Sequence, residues 1–145
     1  MDAQCDLAIL EPTAPLDLED AAPPFGNGDF YLSQRVLFIG FPVAVEVITP
    51  VVGLDFDSPF PMVKGGILAA MNDDKVYIDQ VANAGFSGSP IVYREIETGA
   101  VKILGMISQT GTERLWEGAD AHYASAIAVG VAAKRIVAEF ERVGL

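Results

Sequence analysis

At 145 residues, 51% of them hydrophobic and with mean hydropathy +0.35, the chain has the size of one domain and enough apolar mass for a core, which excludes a disordered tail. Twenty acidic residues against nine basic give a net charge of −11 and argue against a nucleic-acid partner, which needs clustered Lys and Arg. One cysteine, Cys5, permits no internal disulfide, and one Cys with one His makes no structural zinc site, so no metal and no other cofactor is expected.

The chain opens with Cys5-Asp6-Leu7-Ala8-Ile9-Leu10, a strand-like run with one acid at its start. No basic region or long apolar run precedes it, so no signal peptide is expected, and the location is cytoplasmic if Met1 is the true start. No stretch approaches the roughly 20 apolar residues of a membrane span. Residues 11–27 read as a linker: Pro12, Pro15, Pro23 and Pro24 break regular structure, and Asp17, Glu19 and Asp20 keep it wet. Gly26-Asn27-Gly28-Asp29 then makes a turn.

Arg35-Val36-Leu37-Phe38-Ile39-Gly40 is predicted as a buried strand, and the β-branched run 43–52 as the next one. Strands are also expected over 64–71, 75–81, 89–95 and 101–108, with one more near 123–128. At the end, Val129, Ala133, Ile136, Phe140 and Val143 recur at steps of four and three, which predicts a helix stopped by Gly144. Short strands with turns between them, followed by one helix, predict an all-β antiparallel six-stranded barrel with a C-terminal α-helix. Strands and helices do not alternate, so a doubly wound parallel sheet is disfavoured.

One stretch carries chemistry: Asn83-Ala84-Gly85-Phe86-Ser87-Gly88-Ser89-Pro90. Gly85 and Gly88 allow backbone angles that a β-carbon forbids, so the turn can gather N–H groups beside the Ser87 hydroxyl. A nucleophile next to such donors is what acyl transfer requires. A plain glycine hairpin with a solvated serine fits the same eight residues. A triad of Ser87, Asp120 and His122 would have the order of the α/β-hydrolases. It is disfavoured because Ser89 stands where the elbow needs glycine and a strand follows where it needs a helix.

Taken in order, several motifs resemble the chymotrypsin-like serine proteases, above all the bacterial HtrA-like (Deg) branch and its glutamyl-endopeptidase relatives. Asp6-Leu7-Ala8-Ile9-Leu10 is similar to the strand whose acid orients the catalytic histidine. Val36-Leu37-Phe38-Ile39-Gly40-Phe41-Pro42 is similar to the strand and turn that open the second barrel, and Gly66-Ile67-Leu68-Ala69-Ala70 to a later strand. Asp79 through Pro90 resembles the nucleophile loop, and Leu104-Gly105-Met106-Ile107-Ser108 the strand lining the substrate cleft. Ala126-Ile127 and Ala133-Lys134-Arg135-Ile136-Val137 resemble the closing strand and helix.

The resemblance implies a serine endopeptidase acting on polypeptides through an acyl-enzyme on Ser87. It implies an oxyanion hole from the Gly85 and Ser87 N–H groups, and Asp6 as the triad acid with Ser108 placed to hydrogen-bond it. It places Val81, Thr110 and Ala124 at the primary specificity pocket. These three are uncharged, so a small or medium apolar side chain is expected before the scissile bond, and Thr110 narrows the pocket. Phe86 replaces the family's acid or amide before the nucleophile, which removes the partner of a newly cut N-terminus. The family's histidine lies upstream of the acid, where this sequence has five residues. The chain is therefore expected to be 1–10 from the last strand of a first barrel, 11–30 as linker and 31–145 as the second barrel with its helix, an N-terminally truncated form inactive alone. The bared inter-barrel face predicts self-association. The competing expectation is a non-catalytic barrel that binds peptides or a partner chain along an exposed strand edge.

Overall fold

The computed structural model describes residues 7–9, 23–42, 61–114 and 122–144, with only the backbone of 113, 114 and 122–125. Six strands, β1 (Arg35–Gly40), β2 (Met62–Met71), β3 (Lys75–Asp79), β4 (Pro90–Arg94), β5 (Val101–Arg114) and β6 (His122–Ala132), precede one helix, α1 (Ala133–Val143). The strands close into an antiparallel barrel in the order β1-β2-β3-β6-β5-β4. The all-β barrel with a C-terminal helix expected from the sequence is the fold observed.

Closure follows from alternation. In β1 every second residue, Val36, Phe38 and Gly40, is buried while Arg35, Leu37 and Ile39 face out. Val36 and Phe38 meet Leu68, Val76, Ile78, Phe86, Ile91, Tyr93, Leu104 and Ile107 in one core. The seam closes where Val36 pairs with Tyr93 and Phe38 with Ile91. Closing the sheet gives every strand a hydrogen-bonded neighbour on both sides, so none is an edge strand of the barrel.

Two elements depart from expectation. Val129 to Ala132 continue β6 rather than start the helix: Val129 pairs with Tyr77 of β3 and with Gln109 of β5. Ladders on both sides outweigh the helical spacing of Val129 with Ala133, and α1 starts only at Ala133. The helix buries Ala133 and Ile136 and ends at Gly144, whose φ of 82° is the left-handed stop that glycine favours. Residues 7–9, inside the run expected as an opening strand, are not in a strand. Among the described residues no strand pairs with them. The strand expected over 43–52 lies outside the described residues.

The tail of the proline-rich segment is attached to the barrel. Phe25 bridges to Ile103 of β5, Gly26 N–H donates to the Ile103 carbonyl at 2.8 Å, and Ile103 N–H donates to the Pro24 carbonyl at 2.9 Å. Phe25 lies 6.3 Å from Phe140 of α1, and Phe30 packs edge-on against Tyr93 at 5.9 Å. A groove of about 890 Å³ opens there, lined in part by Phe25, Phe30, Leu32, Met71 and Val137; no residue of the Ser87 turn lines it. Leu37 and Ile39 of β1, Phe41 just after it, and Val63 and Ile67 of β2 are large apolar side chains left exposed.

Candidate active site

The serine stretch folds as two consecutive tight turns. Phe86 N–H donates to the Asn83 carbonyl at 3.2 Å, and Ser89 N–H donates to the Phe86 carbonyl at 2.9 Å. Each turn needs a positive φ at its third position, and Gly85 (97°) and Gly88 (83°) supply it. Ser87 therefore occupies a corner and is exposed. The turn returns to the sheet through a matched pair at Ile107: Gly88 N–H donates to its carbonyl, and its own N–H donates to the Ser89 carbonyl, both at 2.8 Å.

This arrangement uses the N–H groups of Phe86, Gly88 and Ser89. Among the described residues, the N–H groups of Gly85 and Ser87 have no hydrogen-bond partner. The two amides thus lie on either side of the buried Phe86, one of them on the residue whose hydroxyl an acyl transfer would use.

The turn is anchored below by an aromatic plug. Phe86 is 1% exposed and meets Phe38 edge-to-face at 5.3 Å. That explains an apolar residue before the serine: the side chain belongs to the core. Gly40, at the end of β1, makes room for it. A β-carbon there would meet the Ser89 hydroxyl, and would fall 2.7 Å from Phe86 Cδ1 and 3.2 Å from the Gly85 carbonyl.

Across the turn lies a bulge in β5. Ile107 pairs with Gly130 and Gln109 with Val129, so Ser108 is left out of the ladder. Bulges turn backbone groups away from the sheet. The Ser108 carbonyl here accepts the Ser87 hydroxyl at 3.2 Å. Ser87 and Ser108 are thus brought together through the Ser108 backbone, whereas the partner expected for Ser108, Asp6, lies outside the described residues.

The segment entering the turn is held by side chains from two sides. Val81 is half-buried, and its carbonyl accepts Lys64 Nζ at 2.7 Å. The Ala82 carbonyl accepts the Thr110 hydroxyl, which joins β5 to this segment. Lys64 of β2 and Thr110 of β5 therefore hold adjacent carbonyls, Val81 and Ala82, of the segment that leads to Ser87. Ala124 is placed by its backbone alone, opposite Thr112, and His122 opposite Arg114. Asp6 and Asp120 lie outside the described residues.

Sequence reasoning missed Lys64. Its signal was parity: Met62, Lys64, Gly66 and Leu68 share one face of β2, and Leu68 is core, so a lysine in that phase needs an internal acceptor. Neither a scan against protein-family models nor a search of the curated proteins returns a match to this chain.

Proposed function

We propose that the barrel carries the nucleophile of a serine endopeptidase. Ser87 Oγ attacks a peptide carbonyl, its proton passes to an imidazole, and the carbonyl oxygen, now anionic, takes hydrogen bonds from the Gly85 and Ser87 N–H groups. Collapse of that adduct returns the proton to the leaving amine and leaves an ester on Ser87; water then hydrolyses the ester by the same route. The observation that carries the reading is the pair of unengaged amides, Gly85 and Ser87, on either side of a buried Phe86 anchor. The motif order from Asp6 to the closing helix supports the same family.

In this reading the imidazole comes from outside these 145 residues and Asp6 orients it. His122 is the sequence's one histidine, and the strand register sets it opposite Arg114 at the far end of the β5–β6 pair from Gly105. Peptidase turnover by the chain alone is accordingly expected to be low, because a general base is worth about 10²–10⁴-fold.

The test is a fluorophosphonate probe with and without added imidazole, read by intact mass and peptide mapping. A single adduct on Ser87, faster with imidazole, absent from Ser87→Ala and kept in Ser89→Ala, is the expected result. A folded chain with no Ser87 adduct under either condition overturns the proposal and leaves the non-catalytic peptide-binding barrel as the reading to pursue.

A further inference from the structure

Lys64 is the one basic side chain that reaches into the nucleophile turn among the described residues, and it does so from the neighbouring strand. Its ammonium donates to the Val81 carbonyl at 2.7 Å and to Asn83 Oδ1 at 2.6 Å, and lies 5.5 Å from the centre of the Phe86 ring. These three partners are the approach to the turn, its first residue and its buried anchor. The backbone carbonyl of Asn83 is the acceptor for Phe86 N–H. One cation therefore grips Asn83 by its side chain while the turn closes on the same residue's backbone.

The base of that grip is rigid. Lys64 pairs with Phe38 across the β1–β2 ladder, and Phe38 is the ring against which Phe86 packs. Lys64 and Phe86 are thus referenced to the same residue of β1. Charge-assisted hydrogen bonds of this kind are roughly twice as strong as neutral ones. No disulfide and no strand ladder runs over 80–89; apart from the backbone pair that ties Gly88 and Ser89 to Ile107, the shape of the turn depends on side-chain contacts and on its own two turns.

From this we infer that Lys64 is a positioning residue for the nucleophile turn: it holds 81–86 in the shape that leaves the Gly85 and Ser87 amides unengaged beside the serine. The inference rests on the endopeptidase reading for its consequence in catalysis, but the holding itself is independent of it. The substrate is not touched by Lys64 in this scheme. The side chain acts through Asn83 and Phe86.

Three forms of the chain test it: wild type, Lys64→Met and Lys64→Arg. Amide hydrogen exchange is followed across 81–88, alongside exchange in β3 and β6, and the rate of fluorophosphonate labelling is measured in parallel. Lys64→Met is expected to speed exchange in the turn by about tenfold or more, the scale of a lost charge-assisted hydrogen bond, with β3 and β6 unchanged. Labelling of Ser87 should fall by a similar factor, and Lys64→Arg, which keeps a charged donor, should recover most of both. Turn exchange in Lys64→Met equal to wild type overturns the inference. So does equal loss in Lys64→Met and Lys64→Arg. If wild type is not labelled at all, the endopeptidase reading fails, while the exchange comparison still decides the role of Lys64.

Discussion

Gly40 and Phe86 are packed so closely that a β-carbon on the glycine would sit 2.7 Å from Cδ1 of the ring. The end of β1 and the Ser87 turn therefore share one small space. Gly40→Ala should force the ring or the turn to move. Overpacking of this kind costs about 1–3 kcal/mol. Urea unfolding should show a lowered midpoint, and exchange across 83–89 should rise with it. An unchanged midpoint would mean that the turn accommodates a methyl group.

Thr110 and Ala82 offer a second probe of the same loop. Thr110→Val keeps the shape but removes the hydroxyl donor from the Ala82 carbonyl, in a residue only 4% exposed. Leaving a buried carbonyl unpaired costs about 1–3 kcal/mol. The expected outcome is that much destabilisation by urea titration. Under the endopeptidase reading, Thr110→Gly should also widen acceptance toward larger apolar side chains before the scissile bond, read with a peptide library.

Tyr93 presents the opposite case. It is 2% exposed, its hydroxyl has no hydrogen-bond partner among the described residues, and burial raises its pKa above the ordinary value. An unmet buried hydroxyl costs about 1–3 kcal/mol, so Tyr93→Phe should be neutral or stabilising by about 1 kcal/mol. A clear loss of stability in Tyr93→Phe, measured by thermal or urea unfolding, would show that the hydroxyl has an acceptor in solution.

The Asp29–Lys102–Glu95 cluster predicts a pH effect. Lys102 donates to Asp29 Oδ2 at 2.8 Å and also pairs with Glu95 Oε1, which Thr98 supports at its other oxygen. The Lys102 hydrogen bond holds the Asp29 carboxyl below its ordinary 3.8, and Glu95 adds to the lowering. A depressed folded pKa gives stability that is complete above the unfolded value and is lost as pH falls through the folded one. Wild type should therefore exceed Asp29→Asn in urea midpoint above about pH 4, and the gap should close as pH falls below 3.8. Lys102 is shifted upward chiefly by Asp29, so its share persists below 10.5 and is lost only in strong alkali. A gap that is constant across acid pH would refute the assignment.

Much of the barrel is legible in local pattern. The short apolar run Arg35–Gly40 announces a strand, and one is found over those residues, but it is not buried on both faces as expected: Leu37 and Ile39 are exposed. Gly85, Gly88 and Gly144 stand where positive φ is needed, and each has it. These features are readable because side-chain period and turn chemistry act over a few neighbouring residues. The β6–α1 boundary was not readable: Val129 has helical spacing to Ala133, but only the ladders from β3 and β5 make it a strand residue.

The amino-acid sequence by itself determined an all-β chain with a glycine-framed serine and a closing helix, because those follow from period and backbone freedom. Tertiary structure alone decided what surrounds that serine. Lys64 reaches Asn83 across 19 residues, Ser87 reaches Ser108 across 21, and Thr110 reaches Ala82 across 28. Contacts at such separations exist only once the barrel has closed and brought β2 and β5 to either side of one turn.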